Sequence, residues 1–264
     1  MNLTNENYFS PEAMREYWSV SQFKSFNKCE ECGLAELNGD YERPETDALL
    51  IGSYVDAYFS GELKEFINKN GSKMVKRDGS LLAKFEQANI MIKRVEADPL
   101  MREFLKGEKQ VIRTGELFGV PWKIKIDVLN EKRIVDVKAV KDFEDVYDPA
   151  YGSKRSWIEY WGYDIQGAIY QKIEQITSGR SEPLPFYLEA VTKEKVGSVP
   201  EPDIKIVQIP QHILDAALKL VEAKIDRFDL IKQGEVDPIR CERCSWCKRT
   251  KILRAPEIYE IREA

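Results

Sequence analysis

The stretch KIKIDVLNEKRIVDVKAVK, residues 123–141, predicts two β-strands joined by a tight turn. Read with a period of two, most of the apolar residues of each run fall on one face, and the polar residues fall on the other. The polar break NEKR, residues 130–133, is short enough for a hairpin. A turn centred in this break places Asp127 directly opposite Asp136, one aspartate on each strand.

This pair of aspartates needs a positive partner. Opposed side chains on one face of an antiparallel pair have Cβ atoms roughly 4.5–5.5 Å apart, so two carboxylates there repel each other. Carboxylate oxygens are the ligands that Mg²⁺ or Mn²⁺ prefer, and a divalent cation would compensate both charges. The alternative is a solvated face of mixed charge, with Lys123 and Lys125 as the neutralising groups.

Composition limits the class of protein. With 264 residues, 43% hydrophobic and 32% charged, the chain is an ordinary globular protein with one sizeable core or two small domains. We find no apolar run of about 20 residues and no signal segment, so we expect a cytoplasmic protein without a membrane partner. The net charge of −5 argues against a protein that coats nucleic acid with its whole surface. It leaves room for a local basic rim, for which Lys154 and Arg155 are one candidate.

The hydrophobic pattern predicts helices alternating with a small group of strands. Ser21 is the expected N-cap of a first helix in the stretch QFKSFNKCEECGLAEL, residues 22–37, and further helices are expected over about 46–59, 81–105, 157–177 and 211–233. Strands are expected over 110–117, 122–129, 133–140, 186–192 and 204–209. This order favours an α/β or α+β sandwich with a mixed sheet. The acidic, aromatic loop after Val140 fits either a flap over a site or an ordinary surface loop.

Two helices carry further polar groups that could join the hairpin. Asp56 lies in a helix that otherwise reads as buried, where a carboxylate is costly unless it is paired or bound to a cation. Tyr163, Gln166 and Tyr170 share one face of a later helix. That face suits contacts to phosphates or bases, or else a satisfied network in the core.

The five cysteines lie near the two ends of the chain. A chain expected in the cytoplasm does not favour disulfides. Cys241, Cys244 and Cys247 have the spacing C-x2-C-x2-C, which wraps readily around a metal ion or cluster. An iron–sulfur cluster, zinc bound by four of the five thiols, and free thiols packed at a helix end are all compatible with this pattern.

These motifs, taken together, resemble the PD-(D/E)XK nucleases. Asp127 followed by Asp136-Val137-Lys138 resembles the signature in its D-x-K form, and Gln166-x-x-x-Tyr170 resembles the QxxxY motif of the branch that holds RecB, lambda exonuclease and RecE. Asp56 stands where that branch usually has a metal-binding histidine. The opening stretch YFSPEAMREYWSVSQFKSF, residues 8–26, is similar to the start of RecE-like exonucleases of phages and prophages.

The resemblance implies a restriction-endonuclease-like core. It implies one nuclease domain over residues 1–264, with a helical segment over about 1–45 and a cysteine-rich segment over about 236–264. It implies an Mg²⁺- or Mn²⁺-dependent exonuclease that digests duplex DNA ends, 5′ to 3′, for a single-strand annealing protein, and relatives of this kind form homo-oligomeric rings.

The resemblance also implies roles for individual residues. Asp127 and Asp136 would bind the metal, with the backbone carbonyl of Val137 in its shell and Asp56 and Glu116 as further possible ligands. Lys138 would orient water or neutralise charge on the phosphate. Gln166 and Tyr170 would position the strand that is cut.

Some nucleases of this branch, of the AddB and CRISPR-associated types, carry a [4Fe–4S] cluster held by one upstream and three downstream cysteines. Cys29 resembles the upstream ligand, and Cys32 is the other candidate. The last downstream gap is shorter here than in those proteins, so zinc remains the competing prediction. An iron–sulfur nuclease acting on single strands, and a DNA-binding or scaffolding protein with an inactive nuclease fold, are the two alternative functions.

Overall fold

The computed structural model describes residues 1–253 and 255–256, so residue 254 and residues 257–264 of the predicted cysteine-rich segment lie outside the described residues. Eleven α-helices and nine strands occur in the described part. The helices are α1 (Pro11–Glu16), α2 (Val20–Lys28), α3 (Glu30–Asn38), α4 (Asp47–Ser60), α5 (Leu63–Asn70), α6 (Ala83–Ala97), α7 (Pro99–Phe104), α8 (Trp157–Tyr160), α9 (Tyr163–Ser178), α10 (Gln211–Gln233) and α11 (Ser245–Arg249). The strands are β1 (Glu108–Leu117), β2 (Val120–Asn130), β3 (Arg133–Val140), β4 (Val146–Asp148), β5 (Ser153–Arg155), β6 (Phe186–Thr192), β7 (Lys195–Val196), β8 (Val199–Pro200) and β9 (Ile204–Gln208).

A mixed sheet of five strands forms the centre, in the order β1-β2-β3-β6-β9. The pairs β1–β2, β2–β3 and β6–β9 are antiparallel, whereas β3 and β6 run parallel. The connection from β3 to β6 passes through α9, as a parallel pair requires a long crossover. The predicted α/β fold with a central mixed sheet is therefore confirmed.

Each face of the sheet is covered by its own hydrophobic core. One core joins β2, β3 and β6 to α2, α9 and α10, with Phe23, Ile169 and Phe228 among its buried residues. The other joins β6 to α4, α6 and α7, with Val55 and Met91 among its members. Strand β3 contributes to both because successive side chains point to opposite faces.

The hairpin of β2 and β3 has the predicted register. Val128 pairs with Val135 and Asn130 pairs with Arg133. The Asn130 side chain accepts hydrogen bonds from the backbone N–H groups of Lys132 and Arg133, at 2.9 and 3.1 Å, which closes the turn. The paired residues end at Val128 and Val135, one step before the two aspartates, so Asp127 and Asp136 are not ladder partners.

Three of the predicted helices are each divided into two helices in the structure, and the first of them begins earlier than predicted. The first helix begins at the N-cap Ser19, not Ser21, because Ser19 and Gln22 form a capping box; it ends at Cys29, whose backbone is extended. The helix predicted over 81–105 breaks at Asp98, which caps α7 ahead of Pro99. The helix predicted over 157–177 breaks at Gly162, which has a φ of +63° that favours glycine.

The loop after Val140 contains a small hairpin of β4 and β5, in which Asp148 pairs with Arg155 at 3.3 Å. Within residues 1–253 and 255–256, none of the helices combines the length and apolar character needed to cross a bilayer.

Candidate active site and cysteine site

Asp136 is the central residue of the candidate active site. It lies on β3, is 1% exposed, and faces α9. Gln166 Nε2 on α9 donates to its Oδ1 at 2.6 Å. Lys138 Nζ lies 2.5 Å from its Oδ2. Both carboxylate oxygens of Asp136 thus have a partner, the Gln166 amide on one and the Lys138 ammonium on the other. Lys138 and Gln166, which belong to separate predicted motifs, therefore both contact the carboxylate of Asp136.

Asp127 lies across the hairpin from Asp136. Its Oδ2 accepts a 2.8 Å hydrogen bond from the backbone N–H of Val137, which takes the place of a ladder bond at the point where β2 and β3 separate. Gln110 Nε2 on β1 lies 3.5 Å from its Oδ1. The structure thus shows the amide group of Val137 in use, and the role of its carbonyl as a metal ligand stays a prediction.

Burial and charge leave the carboxylates of the site under-compensated. Burial, with the nearby charges of Asp136 and Asp56, raises the pKa of Asp127 well above its usual value. Asp56 on α4 is an exposed residue, not the buried one that its helix suggested, but partial desolvation of its carboxylate still raises its pKa; Lys138 opposes this rise and Asp136 adds to it. Lys138 acts on the acids of the site, and further lysines act on one acid each: Lys24 on Asp136, Lys109 on Asp127 and Lys125 on Asp56. The pKa of Asp127 and that of Asp56 stay raised all the same, so these lysines do not fully offset burial and the repulsion among the acids.

These residues fit a divalent cation. The mutual repulsion of three neighbouring acids is what a hard cation with oxygen ligands would relieve. The three carboxylates do not all lie within 4.8 Å of one another. Among the described residues, only four of the cysteines form a group of possible metal ligands that is so compact. Mg²⁺ commonly keeps several water ligands, so it does not require all three carboxylates in direct contact.

Lys138 remains a cation in this environment. Burial alone would lower its pKa, but the charges of Asp136 and Asp127 raise the pKa of Lys138 above its usual range. Its Nζ also lies 5.6 Å from the ring centroid of Tyr163. A lysine in this state can neutralise a nearby negative charge or orient a hydrogen-bond acceptor. Because it is already protonated, it does not accept a proton at neutral pH.

The tyrosines of α9 line the same pocket. Burial raises the pKa of Tyr170 well above its usual value, and the charges of Tyr8, Asp136 and Asp127 raise it further. Burial likewise raises the pKa of Tyr163. Both phenols therefore stay neutral and keep a proton to donate.

Glu116 is the one predicted site residue that the structure does not bring to the site. It is exposed and pairs with Pro121 near the β1–β2 turn. Six residues of strand, about 20 Å, separate it from Gln110 beside Asp127. The hypothesis that it is a metal ligand finds no support in this geometry.

Sequence reasoning missed two residues near the aspartates. Gln110 has a φ of +53°, an unusual conformation for a residue other than glycine, and its side chain reaches Asp127. Lys24 on α2 lies in the field of Lys138 and Asp136, and burial with the charge of Lys138 lowers its pKa to about 8. No signal in the sequence pointed to Gln110, whereas Lys24 lies in the opening stretch singled out for its resemblance.

A second site gathers four of the five cysteines. The Sγ atoms of Cys29, Cys241, Cys244 and Cys247 all lie within 4.8 Å of one another. The Sγ–Sγ distances are 3.6 Å for Cys29 and Cys247 and 3.9 Å for Cys241 and Cys247. The predicted upstream ligand Cys29 is thus with the three downstream cysteines.

Cys32 lies outside this set. Its Sγ lies 3.7 Å from a carboxylate oxygen of Glu36, one turn along α3. Burial, then the charge of Glu36, raises the pKa of the Cys32 thiol to about 12. Its position outside the converging set, beside Glu36, leaves it without the other thiols that a metal would need.

Comparison with known proteins places the chain in a family. Residues 19–250 match the model of a PDDEXK-like domain of unknown function, DUF3799. This match spans the aspartate hairpin, the helix with Gln166 and the cysteine site. The chain belongs to this PDDEXK-like family.

A solved structure supports the same assignment. The PDDEXK-like chain is 41% identical to a protein from Eubacterium rectale whose crystal structure is described as that of a "putative exonuclease". The alignment covers 98% of this chain and 97% of the other, with a TM-score of 0.89. No curated protein matches the chain. The resemblance to PD-(D/E)XK nucleases predicted from the motifs is thus confirmed at the level of the family and fold.

Proposed function

We propose that this PDDEXK-like protein is a metal-dependent exonuclease that hydrolyses phosphodiester bonds at the ends of duplex DNA. The observation that carries the proposal is the contact set of Asp136, which joins an acid of the hairpin to Lys138 and to Gln166 of α9. The full-length similarity to the Eubacterium rectale protein favours an exonuclease over other nuclease activities. The RecE-like opening stretch favours 5′-to-3′ digestion in recombination, with a single-strand annealing protein as partner and a homo-oligomeric ring as assembly.

Each residue of the site has a distinct task in this reaction. Asp127 and Asp136 would hold Mg²⁺ or Mn²⁺, with Asp56 as a further carboxylate on the same pocket. When bound, the cation supplies an acidified water and stabilises charge on the scissile phosphate. Lys138, a permanent cation, attracts the phosphate and offsets the charge that develops on it.

Gln166 holds Asp136 in one orientation, because its amide donates to Oδ1 and leaves Oδ2 turned toward Lys138. Tyr170 lines the pocket as a neutral phenol that can donate to a phosphate oxygen. Val137 fixes Asp127 through its backbone N–H. The two metal-binding carboxylates are thus each positioned by a neutral hydrogen-bond donor.

We further propose that the four converging cysteines hold one zinc ion rather than a [4Fe–4S] cluster. Four thiolates around one zinc at about 2.3 Å stand about 3.8 Å apart, which agrees with the 3.6 and 3.9 Å measured here. A four-iron cluster has one thiolate on each iron, so its thiolates stand further apart. This geometry disfavours the iron–sulfur alternative. An inactive DNA-binding protein would have no need of the under-compensated acids.

The decisive experiment compares digestion of linear and closed-circular duplex DNA. With Mg²⁺ we expect loss of the linear substrate only, and no digestion with EDTA. Asp136→Asn and Asp127→Asn should each abolish digestion, while Asp226→Asn, an exposed aspartate on α10, should digest at the wild-type rate. Digestion of the circle would contradict an exonuclease. Wild-type activity in either of the first two variants would contradict the assigned site.

A further inference from the structure

A run of positive side chains and aromatic rings leads away from the candidate active site over the surface. Its inner end is Tyr163, whose ring centroid lies 5.6 Å from Lys138 Nζ and 5.5 Å from Lys24 Nζ. Lys24 then passes close to Gly162, where an added Cβ would lie 3.3 Å from its side chain. The run is thus in direct contact with the residue that pairs with Asp136.

The run continues through the break between α8 and α9. Trp161 precedes Gly162 and is 45% exposed, and Lys28, one turn along α2 from Lys24, places its Nζ 5.9 Å from the Trp161 ring. Gly162 at a φ of +63° forms the break that leaves the Trp161 ring on the surface. Two lysines of α2 therefore alternate with two rings of the α8–α9 segment.

The outer end of the run is the β4–β5 hairpin. The charge of Asp148 acts on Lys28, and Asp148 pairs with Arg155 at 3.3 Å. The Arg155 guanidinium lies over the ring of Tyr151 at 4.5 Å, and Tyr151 is 69% exposed. We name Lys24, Lys28, Tyr151, Arg155 and Trp161 the aromatic–basic track.

Two lysines of the track lack a paired acid. Neither Lys24 nor Lys28 forms a salt bridge in the described part of the chain, although Asp136 and Asp164 attract Lys24 and Asp148 and Glu36 attract Lys28. Burial lowers the pKa of both, and a further cation acts on each: Lys138 on Lys24, and Arg43 on Lys28. Positive groups held together in this way without a salt bridge favour an anionic ligand.

The rings decide which anion fits. Exposed rings spaced between cations offer stacking surfaces for flat groups joined by phosphates, as in proteins that bind single strands. Bases in a duplex are already stacked on each other and cannot lie on Trp161 or Tyr151. We infer that the aromatic–basic track binds an unpaired strand of DNA and guides it to the acids of the hairpin, an inference that rests on the proposed nuclease function for the second step only.

The inference is tested by binding in EDTA, where no digestion occurs. The probe is a fluorescein-labelled single strand of twenty thymidines, followed by fluorescence anisotropy. Trp161→Ala and Tyr151→Ala should each weaken binding about five- to hundred-fold, as loss of one stacked base does elsewhere. Trp161→Phe, which keeps a ring, should stay within a few-fold of wild type. Lys28→Gln should reduce the slope of log K against log salt by about 0.7.

Lys219→Gln, an exposed lysine on α10, is the matched charge control and should bind as wild type. Circular dichroism shows whether each variant is folded. If Trp161→Ala does not fold, the affinity of Tyr151→Ala alone tests the inference. Wild-type affinity in Tyr151→Ala and in a folded Trp161→Ala would overturn the inference, as would a duplex probe that binds through the same rings. The same proteins are assayed for digestion with Mg²⁺. Binding that depends on the rings, without digestion, would contradict the proposed nuclease function and support the aromatic–basic track. Digestion together with binding that does not depend on the rings would support the nuclease function and contradict the track.

Discussion

Gln166 on α9 donates a 2.6 Å hydrogen bond to Asp136 on β3, and this contact joins a crossover helix to the middle strand of the sheet. The two residues are 30 positions apart, and both are buried. The hydrogen bond fixes Oδ1 of Asp136 while Oδ2 contacts Lys138, so the carboxylate is held in one orientation. The position of α9 is therefore part of the chemistry of the hairpin.

Replacing Gln166 tests this dependence. Gln166→Leu leaves Oδ1 of Asp136 without a donor, and we expect metal-dependent digestion to fall about 10- to 100-fold, as loss of an outer partner of a metal ligand commonly does. Single-turnover digestion of linear duplex measures the effect. Gln175→Leu, two turns further along α9, is the control, because Gln175 bonds to Ser181 and Lys172 away from the site. Equal rates for Gln166→Leu and wild type would show that the contact has no part in the reaction.

Lys138 should act on turnover and not on metal affinity. Lys138→Gln removes the cation beside Asp136, and we expect digestion to fall about 100-fold or more because the charge on the phosphate loses its partner. Isothermal titration with Mn²⁺ should show binding at least as tight as in wild type, since the acids lose a competing positive charge. Lys132→Gln, in the turn of the same hairpin, should change neither quantity. Loss of Mn²⁺ binding in Lys138→Gln would contradict this division of roles.

Two glycines in helices should respond in opposite ways to the same change. A Cβ at Gly167 would lie 2.6 Å from the ring of Phe186 and 2.9 Å from Leu214, so Gly167→Ala should push α9 from the sheet and lower stability by about 1–3 kcal/mol. A Cβ at Gly52 in α4 meets nothing within 4 Å, so Gly52→Ala should raise stability by up to about 1 kcal/mol.

Urea unfolding followed by tryptophan fluorescence measures both glycine variants. Digestion should fall in Gly167→Ala alone, because that helix carries Gln166. A stable Gly167→Ala would mean that α9 can shift without cost.

Glu189 should make stability depend on pH. It is buried on β6 with neither carboxylate oxygen hydrogen-bonded, and burial raises its pKa from 4.5 to about 8. Lys109 and Arg133 oppose this rise, and Asp98 adds to it. Between pH 4.5 and 8 the folded chain holds a proton that the unfolded chain has lost.

Glu189 therefore contributes fully to the free energy of unfolding below pH 4.5. As the pH rises from 4.5 toward 8, the free energy of unfolding should fall by about 1 kcal/mol per pH unit. Glu189→Gln should flatten this slope, whereas Glu222→Gln on the surface of α10 should keep it. Urea unfolding at several pH values, in EDTA, measures both. Parallel curves for Glu189→Gln and wild type would contradict a protonated Glu189.

Four of the five cysteines should bind zinc, and Cys32 should not. Cys29→Ser and Cys247→Ser should each lose bound zinc and melt at a lower temperature, because each removes one of four converging thiols. Cys32→Ser should keep one zinc per chain. Elemental analysis with thermal melting measures this. Absorbance near 400 nm with four irons per chain would instead establish a cluster, and absence of both metals would contradict any metal at this site.

The sequence predicted the parts of the fold that local patterns encode. The bounds of β3, β6 and α10 agree with the structure, because alternating or helical apolar runs there end at clear polar or glycine signals. The register of the β2–β3 hairpin followed from the turn in residues 130–133, although the paired residues end one step before Asp127 and Asp136. The breaks at Cys29, Asp98 and Gly162 were missed. The stretch of α2 and α3 has one continuous helical pattern, and Pro99 was not taken as a stop within the helical pattern around it.

The rest of the site depends on contacts between distant segments. Lys24 joins the pocket only because α2 packs beside α9, and Gln110 reaches Asp127 through a backbone conformation that no residue pattern announces. Glu116, by contrast, was chosen for its position on the preceding strand, and the register places it at the wrong end. Sequence periodicity gives faces and register, whereas the assembly of a pocket from several elements is a property of the packed sheet.

The convergence of Cys29 with Cys247 joins the α2–α3 junction to α11, across 218 residues. During synthesis the first of these thiols leaves the ribosome long before the last, so this contact cannot form until the whole sheet has been made. We expect a product that stops short of α11 to keep its first helices loose and exposed to proteases. In that order of events, α2 and its Lys24 would take their final position beside the acids only after α11 has been synthesised.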